Sequence, residues 1–287
     1  MLLTIFTPTY NRAALLPRLY DSICQQTCSD FEWLIVDDGS TDNTESLIKT
    51  FTNSDFPIRY IKKHNGGKHT AINLGIKEAK GELFFIVDSD DLLLPLSIET
   101  VIRNYTAIQD NNRFAGICGY MQHSNNYIIG YPFKNIDASS IEMRYKFRIK
   151  GDMMEVFKTN ILKEFPFPEI PNERFCPEVL IWNRIAQKYK LRIFAKAICC
   201  RDYIKGGLTD NIVRIRMQSP VASMMTYSEM LSYDIPLLSK VKAAINYWRF
   251  RMCRKNNNIG IPSIPAIWWW TWPLGWLMHT IDTIKVR

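Results

Sequence analysis

The sequence predicts an α/β fold with a mixed, mostly parallel β-sheet and a helical C-terminal extension. Over residues 1–90, short apolar runs alternate with helical patterns, which is typical of stacked strand–helix units. Residues 83–87 (LFFIV) are all apolar, as in a strand that is buried on both faces of a sheet. Residues 266–281 are instead rich in tryptophan, so the end of the chain has a different chemistry.

Hydrophobic spacing places each element in turn. Strands are predicted at 2–6, 31–36, 58–61, 83–87, 116–121 and 153–157. Helices are predicted at 15–23, 68–80, 178–190 and over much of 219–254. Pro17 suits a first helical turn, and Gly81 favours the end of the helix before it. This organisation predicts one domain at 1–215 and a C-terminal extension at 216–287.

The composition excludes several classes of protein. With 47% hydrophobic and 22% charged residues, the chain matches globular proteins rather than a disordered tail or a coiled coil. Its seven cysteines are an odd number and its four histidines are scattered, so neither a disulfide framework nor a zinc site is predicted. The first apolar run ends at Phe6, too early for a signal peptide, so we expect a protein that is not exported and keeps its thiols reduced.

Three motifs that often accompany such a sheet are missing from the sequence. No G-x-G-x-x-G follows a strand, and Gly66-Gly67-Lys68 lacks both the upstream glycine and the Ser/Thr of a P-loop. No G-x-S-x-G is present. The sequence therefore favours neither a dinucleotide oxidoreductase, a P-loop NTPase nor an α/β-hydrolase.

Acidic residues cluster where two predicted strands end. Asp37 and Asp38 follow one strand, and Asp88, Asp90 and Asp91 follow another. Because an open α/β sheet binds its ligand beyond the carboxyl ends of its strands, these carboxylates predict a site there. Clustered carboxylates raise one another's pKa unless a cation joins them, so we expect Mg²⁺ or Mn²⁺ together with a diphosphate. The alternative is that each aspartate caps a turn or begins a solvated loop.

Four short motifs in this region are similar to those of a known family. In chain order they are Thr7-Pro8-Thr9-Tyr10-Asn11-Arg12, Val36-Asp37-Asp38-Gly39-Ser40-Thr41-Asp42, Gly67-Lys68 with Asn73, and Asp88-Ser89-Asp90-Asp91. With this order and spacing, residues 1–95 resemble the inverting family 2 glycosyltransferases of the bacterial surface-polysaccharide type. The resemblance, looser to about residue 215, implies the GT-A fold, a Rossmann-like fold of nucleotide-diphospho-sugar transferases.

The resemblance implies a role for each matching residue. The residues expected to bind the nucleotide sugar are Thr7, Pro8, Thr9, Tyr10, Asp37, Asp38, Lys68, Asp88, Asp91 and Asp152. Tyr10 would lie against the base, Asp37 or Asp38 would bond the uracil or ribose, and Asp88 would lie toward the ribose. Asp90 would hold Mn²⁺ or Mg²⁺ on the diphosphate. The alternatives are that Tyr10 is a core aromatic residue and that Lys68 is a solvated helix start.

Such a transferase also needs a base that removes the proton of the acceptor hydroxyl. In the family, an acidic pair precedes a short helix with an aromatic residue and an arginine, and residues 178–184 (EVLIWNR) fit with Glu178 as the second acid. Pro177 replaces the first acid, which departs from the family. The alternative is that Pro177 and Glu178 only begin a helix, and Glu173 and Glu169 are further candidates for the base.

The C-terminal segment is basic and aromatic. Residues 236–287 hold eight Lys or Arg against one acid, whereas the first 235 residues are nearly neutral, which argues against a nucleic-acid partner. Five of the eight tryptophans lie between 268 and 276. Tryptophan flanked by basic residues is typical of a membrane interface, and prolines interrupt the segment, so we expect a surface or re-entrant anchor. The alternative is an aromatic helix that packs on the catalytic domain or forms a dimer contact.

Together these features predict a metal-dependent inverting glycosyltransferase at the cytoplasmic face of the plasma membrane. It would move a sugar from a nucleoside diphosphate donor, with UDP expected, to a lipid-linked saccharide in cell-surface polysaccharide biosynthesis. A second hypothesis makes the acceptor a polyprenyl phosphate. A third is a membrane-bound adaptor whose nucleotide pocket is vestigial.

Overall fold

A computed structural model describes residues 1–52, 55–201, 211–254, 260 and 262–286. The chain forms two compact units, the first of Met1–Pro166 with Asn183–Asp202 and the second of Phe167–Trp182 with Tyr203–Arg287. The predicted domain boundary at residue 215 remains a prediction, and the division in the structure groups residues 211–215 with the C-terminal residues.

The first unit is built on one β-sheet. Its strands are β1 (Leu3–Thr9), β2 (Phe31–Asp37), β3 (Ile58–Lys62), β4 (Leu83–Ile86), β5 (Leu92–Leu93), β6 (Phe114–Gln122), β7 (Ile136–Ala138), β8 (Met153–Lys158) and β9 (Lys190–Cys200). Its helices are α1 (Leu16–Cys24), α2 (Thr44–Ile48), α3 (Lys68–Glu78), α4 (Ser97–Thr106), α5 (Ser140–Tyr145) and α6 (Thr159–Glu164). Helix α7 (Glu178–Ala186) begins in the second unit and ends in the first.

The sheet is mixed, with its parallel part at the N-terminal end of the chain. The strand order is β3-β2-β1-β4-β8-β6-β9-β5, and β7 pairs with β9. β1 lies parallel to β2 and β4, and β2 lies parallel to β3. β8 is antiparallel to both β4 and β6, whereas β6 and β9 are parallel. This arrangement confirms the predicted mostly parallel α/β fold and the central position of the apolar strand β4.

Helices cover both faces of the sheet because alternate side chains of a strand point to opposite faces. One face carries a core cluster that joins α1 and α4 to the sheet and includes Leu3, Ile5, Leu16, Leu19, Leu83, Phe85, Ile98 and Val101. On the other face, the rings of Phe6 and Phe84 stack with their centroids 4.8 Å apart. A Cβ added to Gly75 of α3 would lie 2.1 Å from the Phe6 ring, so this glycine allows α3 to approach β1.

Two predicted helices are longer than the observed ones, and three strands, β5, β7 and β9, were not predicted. The helix predicted at 68–80 ends at Glu78, since Ala79 is extended with φ −59° and ψ 133°. The helix predicted at 178–190 ends at Ala186, because β9 begins at Lys190. β9 pairs in parallel with β6, a long-range contact that the spacing of apolar residues does not report.

The second unit is helical. Its elements are α8 (Ile212–Gln218), α9 (Pro220–Met230), α10 (Leu237–Arg251), a 3₁₀ helix (Ala266–Thr271) and α11 (Trp272–Val286). The helical character predicted for 219–254 is confirmed by α9 and α10. The Glu173 carboxylate accepts hydrogen bonds from the amides of Val221 and Ala222 at 2.7 and 2.9 Å, so it caps the first turn of α9.

Helix α11 buries Gly275 and Asp282 and exposes most of its apolar side chains. A Cβ added to Gly275 would lie 2.4 Å from the Cβ of Trp248, which shows how closely α11 approaches α10. The buried Asp282 accepts two hydrogen bonds from Arg249. Four apolar side chains at helical spacing form what we call the outer face of α11, with exposed fractions from 41% to 71%: Leu274, Leu277, Ile281 and Ile284. Within the described ranges, no helix has both the length and the apolar character needed to cross a membrane.

Candidate functional site

The candidate site lies at the edge of the first unit's sheet where four parallel strands end. β1 ends at Thr9, β2 at Asp37 and β3 at Lys62, while Asp88 follows β4 by two residues. Since neighbouring parallel strands end at the same edge, the polar residues beyond them meet there. The topology therefore brings the acids after β2 and those after β4 to one side of the sheet.

Asp37 holds the turn that follows β2. Its carboxylate is fully buried and accepts hydrogen bonds from the Ser40 amide at 2.7 Å and the Tyr60 hydroxyl at 2.6 Å. Burial and the neighbouring Asp37 charge raise the pKa of Tyr60 above its usual value, so the phenol stays a hydrogen-bond donor. Both oxygens of Asp37 thus have protein partners, and its predicted contact with the nucleotide remains a prediction.

Asp38 fixes the loop that begins α3. Its two oxygens accept hydrogen bonds from the amides of Gly66 and Gly67 at 2.9 and 2.7 Å, and from Lys63 Nζ at 2.7 Å. Gly67 precedes α3 with φ at 98°, a conformation that favours glycine. The carboxylate therefore sets the position of the first residue of α3, Lys68.

Lys68 and Asp88 form an ion pair at the sheet edge. The Lys68 Nζ lies 2.6 Å from Asp88 Oδ1, and the lysine side chain is 30% exposed. The structure thus pairs Lys68 with the acid after β4, where the alternative from the sequence left it as a solvated helix start. A cation held at this position would lie beside a phosphate that approached Asp88.

Arg201, the residue after β9, contacts three of the predicted carboxylates. Its Nε and one terminal nitrogen donate to the two oxygens of Asp91 at 2.8 and 2.5 Å. The same terminal nitrogen lies 3.2 Å from Asp88 Oδ2, and the other lies 3.6 Å from Asp152 Oδ2. Asp91 is fully buried, so its carboxylate positions the arginine. We call Lys68, Asp88, Asp90, Asp91, Asp152 and Arg201 the sheet-edge cluster.

The charges within the sheet-edge cluster are partly balanced by the protein itself. Burial raises the pKa of Asp91 to about 6, with Arg201 opposing the shift, so this acid is still ionised at neutral pH. Burial opposes the ionisation of Asp88 as well, but Lys68 and Arg201 together lower its pKa below the usual value. Burial disfavours the charge of Arg201, yet Asp91 and Asp88 raise its pKa. Lys68 and Arg201 therefore offset part of the repulsion that the sequence argument assigned to a divalent ion alone, and the four carboxylates still outnumber these two cations.

Asp90 differs from its neighbours because it is half-buried and has no hydrogen bond or ion pair among the described residues. Nor do those residues contain a group of three or more His, Cys, Asp or Glu side chains that could hold a metal ion. Mg²⁺ in phosphate sites typically uses one or two carboxylates and completes its shell with phosphate oxygens and water. An uncommitted carboxylate next to Asp88 fits that donor set, so the residues present are compatible with the expected ion.

The residues at the end of β1 have three different environments. The Thr7 hydroxyl accepts a hydrogen bond from Trp33 Nε1 at 3.0 Å, and Pro8 is buried. The Thr9 hydroxyl is buried and has no hydrogen-bond partner among the described residues, so a ligand could provide one. Tyr10 is 46% exposed, which excludes the alternative that it is a core aromatic residue.

The candidate base lies in the other unit of the chain. Glu178 is the first residue of α7 and is half-buried, in line with the expected helix start after Pro177. Glu173 holds the amides of α9 with both oxygens, which occupies one of the two alternative bases. The role of Glu178 as the base remains a prediction.

Sequence reasoning missed Arg201, Lys63 and Tyr60, which are the groups that organise the acids. Arg201 directly follows the apolar residues 197–200, the same strand-end signal that identified the aspartates. That signal was not used because β9 was not predicted. Lys63 directly follows β3 and so carried the same signal, whereas Tyr60 lies within that strand and carried none.

The fold and this site define a class: α/β proteins of the GT-A type, with polar groups gathered where the parallel strands end. Residues 4–162 match the family model described as glycosyl transferase family 2, and the chain belongs to that family. A solved structure with a similar fold is that of S. aureus TarS 1–349 in complex with UDP-GlcNAc, with a TM-score of 0.62 at 17% identity over 96% of this chain and 79% of that one. Another is the mannosyltransferase PcManGT from Pyrobaculum calidifontis in complex with GDP-Man and Mn²⁺, with a TM-score of 0.58 at 17% identity over 98% and 75%.

Curated bacterial proteins are also similar in sequence. The glycosyltransferase GlyG of Streptococcus pneumoniae serotype 4 is 31% identical over 182 residues, which are 59% of this chain and 59% of GlyG. The GalNAc(5)-diNAcBac-PP-undecaprenol beta-1,3-glucosyltransferase of Campylobacter jejuni is 27% identical over 224 residues, 74% of this chain and 70% of that protein. The chain thus spans less than two thirds of the length of GlyG.

Proposed function

We propose that this protein is an inverting glycosyltransferase that moves one sugar from a nucleoside diphosphate donor, with uridine as the base, to a lipid-linked saccharide. It would act in the synthesis of a cell-surface polysaccharide, at the cytoplasmic face of the plasma membrane. Family membership supports the reaction class. The solved complex of TarS with UDP-GlcNAc supports a uridine donor.

The observation that carries the proposal is the arrangement of the sheet-edge cluster. Lys68 and Arg201 pair with Asp88 on its two oxygens, while Asp90 beside them has no described partner. Two fixed cations and one available carboxylate suit a diphosphate that brings a divalent ion. The Mn²⁺ in the PcManGT complex supports this choice of ion.

Different residues would carry out different parts of the proposed reaction. Asp90 would hold Mn²⁺ or Mg²⁺, which when bound neutralises the charge that develops on the leaving diphosphate. Lys68 and Arg201 place fixed positive charge near those oxygens without rearrangement, and preorganised charge is worth more than mobile solvent. Tyr10, exposed at the end of β1, would cover the base. Glu178 would take the proton of the acceptor hydroxyl while that oxygen attacks opposite to the diphosphate.

The second unit supports a lipid-linked acceptor and a membrane partner. The outer face of α11 exposes four apolar side chains, and an apolar face of this kind is typical of an interfacial helix. One relative's name places a saccharide on PP-undecaprenol, a lipid carrier. An enzyme with such an acceptor would need to reach the bilayer surface.

A panel of nucleotide sugars tests the proposal. The full chain is incubated with each donor, Mn²⁺ and a lipid-linked saccharide, and release of the nucleoside diphosphate is measured. We expect release with a UDP-sugar, and loss of about 100-fold or more in turnover for Asp90→Asn. The matched control is Asp110→Asn, which changes an exposed acid of the same unit and should leave turnover unaltered.

Equal release by the wild type and Asp90→Asn across the panel would remove the metal from the proposal. Transfer to a bare polyprenyl phosphate, with none to a saccharide-capped lipid, would replace the proposed acceptor.

A further inference from the structure

A cavity of about 560 Å³ lies within the second unit, and its lining residues include none of the sheet-edge cluster. Its walls are mainly aromatic and come from α10, the 3₁₀ helix and the start of α11, with Tyr247, Trp248, Trp269 and Trp272 among them. This volume is within the range of small-molecule sites, and aromatic walls favour an apolar ligand. Nothing in the proposed sugar transfer uses this cavity.

Trp248, one of the residues that line the cavity, has an unused hydrogen-bond donor. Its side chain is 8% exposed, and its buried Nε1 has no hydrogen-bond partner among the described residues. A buried indole N–H usually finds an acceptor, because leaving it unpaired is costly. An acceptor oxygen that reached this N–H would therefore be stabilised.

Arg251 adds a positive charge to the same wall. Its guanidinium lies 5.3 Å from the centre of the Trp248 ring, and one of its nitrogens donates to the Tyr247 hydroxyl at 2.9 Å. The Tyr247 hydroxyl in turn donates to the Pro262 carbonyl at 2.8 Å, which fixes the tyrosine. A guanidinium has five N–H donors, so this anchored arginine retains donors for an anion. This anchored cation on an otherwise mainly aromatic wall predicts a ligand with anionic oxygens.

We propose that this cavity binds the headgroup region of an anionic membrane phospholipid, with the phosphate at Arg251 and Trp248 and the upper acyl chain against the aromatic walls. The inference rests on the membrane association proposed above. The surroundings of the cavity favour a bilayer as the source of the ligand. The outer face of α11 exposes apolar side chains, and residues 236–287 carry an excess of positive charge. Arg251 disfavours a choline headgroup, which aromatic walls alone would accept.

Binding of the full chain to vesicles tests this site. Sedimentation is measured with phosphatidylcholine vesicles and with the same vesicles containing phosphatidylglycerol. We expect Arg251→Gln to remove most of the increase in affinity that phosphatidylglycerol provides, by about tenfold. Arg254→Gln is the matched control, because it removes one charge near the same helix end from a residue outside the cavity wall, and we expect it to change affinity less than about twofold.

Trp248→Phe keeps an aromatic ring but removes the N–H, and we expect a weaker loss in the same direction. Because this residue is buried, its thermal unfolding midpoint is recorded alongside binding, and Arg251→Gln carries the test if the variant does not fold. Calorimetry with monomeric short-chain phosphatidylglycerol should show binding, whereas inorganic phosphate, which lacks a chain, should bind far more weakly.

The outcomes separate this inference from the membrane proposal. Equal losses for Arg251→Gln and Arg254→Gln would overturn the cavity site while leaving membrane binding in place. Binding of a polyprenyl phosphate in the calorimeter, with no heat from short-chain phosphatidylglycerol, would overturn the choice of a phospholipid. Wild-type binding to every vesicle by a Leu277→Ser, Ile281→Ser double variant would contradict the membrane proposal itself, because those side chains form the outer face of α11.

Discussion

The sheet edge of the first unit and helix α11 of the second both bury an aspartate against an arginine. At the sheet edge, Asp91 accepts two hydrogen bonds from Arg201, and on α11, Asp282 accepts two from Arg249. What surrounds each pair is different. Around the sheet-edge pair, the Asp90 carboxylate and the cations Lys68 and Arg201 suit a polar ligand, whereas α11 exposes apolar side chains around its pair. A buried Asp–Arg pair thus stabilises the structure in both places. The side chains around each pair, rather than the pair itself, indicate what kind of ligand would bind there.

The largest expected effects separate the two arginines. Arg201→Gln and Arg249→Gln each leave a buried aspartate without its cation, so each should lower the free energy of unfolding by about 3 kcal/mol. Only Arg201→Gln should also weaken binding of the nucleotide. Urea unfolding and calorimetry with UDP and Mn²⁺ give the two readouts, and equal nucleotide affinity in the two variants would contradict a functional sheet edge.

Asp90 and Asp91 provide a second contrast, within the cluster. Asp90→Asn should reduce turnover by about 100-fold or more, while its unfolding midpoint stays near the wild-type value because the carboxylate has no described partner. Asp91→Asn should instead lose stability, since it removes a charge that Arg201 binds in a buried position. If Asp90→Asn proved less stable in urea than Asp91→Asn, the assignment of Asp91 as the stabilising acid and Asp90 as the acid needed for turnover would be contradicted.

The packing of α11 on α10 gives a smaller effect. Gly275→Ala would place a Cβ 2.4 Å from the Cβ of Trp248, so we expect a loss of about 2 kcal/mol from overpacking. Gly260→Ala is the control, because a Cβ there meets no atom of the described residues within 4 Å. Thermal unfolding measures both variants. A midpoint for Gly275→Ala that matches that of Gly260→Ala would show that the two helices do not approach as described.

The smallest effect concerns pH. Lys68 and Arg201 lower the pKa of Asp88 despite its burial, so the folded state holds this proton less tightly than the unfolded state. Its contribution to stability is therefore present above the ordinary aspartate pKa of about 4 and is lost as pH falls through the lower folded value. Asp88→Asn should be about 1 kcal/mol less stable than the wild type near neutral pH, and the difference should shrink in acid. The free energy of unfolding in urea measures this difference at each pH. A difference between Asp88→Asn and the wild type that did not change with pH would argue against the ion pairs of Asp88.

Local sequence patterns were sufficient for much of the fold. The apolar runs at β1, β2 and β4 identify strands because a buried strand needs continuous apolar side chains. The helical pattern of residues 219–254 correctly predicted helices, which are α9 and α10. The position of the acids after β2 and β4 also followed from sequence, because polar residues that follow a buried strand reach the sheet edge.

Local patterns did not identify β9, because Lys190, Arg192 and Lys196 interrupt its apolar residues. Without β9, the arginine that follows it had no predicted position. The sequence also did not predict which side of α11 is exposed. Its apolar residues face away from the core, which is the reverse of the usual rule for a helix in a water-soluble unit.

The sequence by itself therefore determined which residue types gather at the sheet edge, since strand periodicity and strand order along the chain depend on near neighbours. Tertiary structure alone decided which of those acids are neutralised. Arg201 lies 110 residues beyond Asp91 and reaches it only in the folded chain, which leaves Asp90 as the carboxylate without a described partner. Charge balance depends on distances in space, and those distances exist only once the sheet has formed.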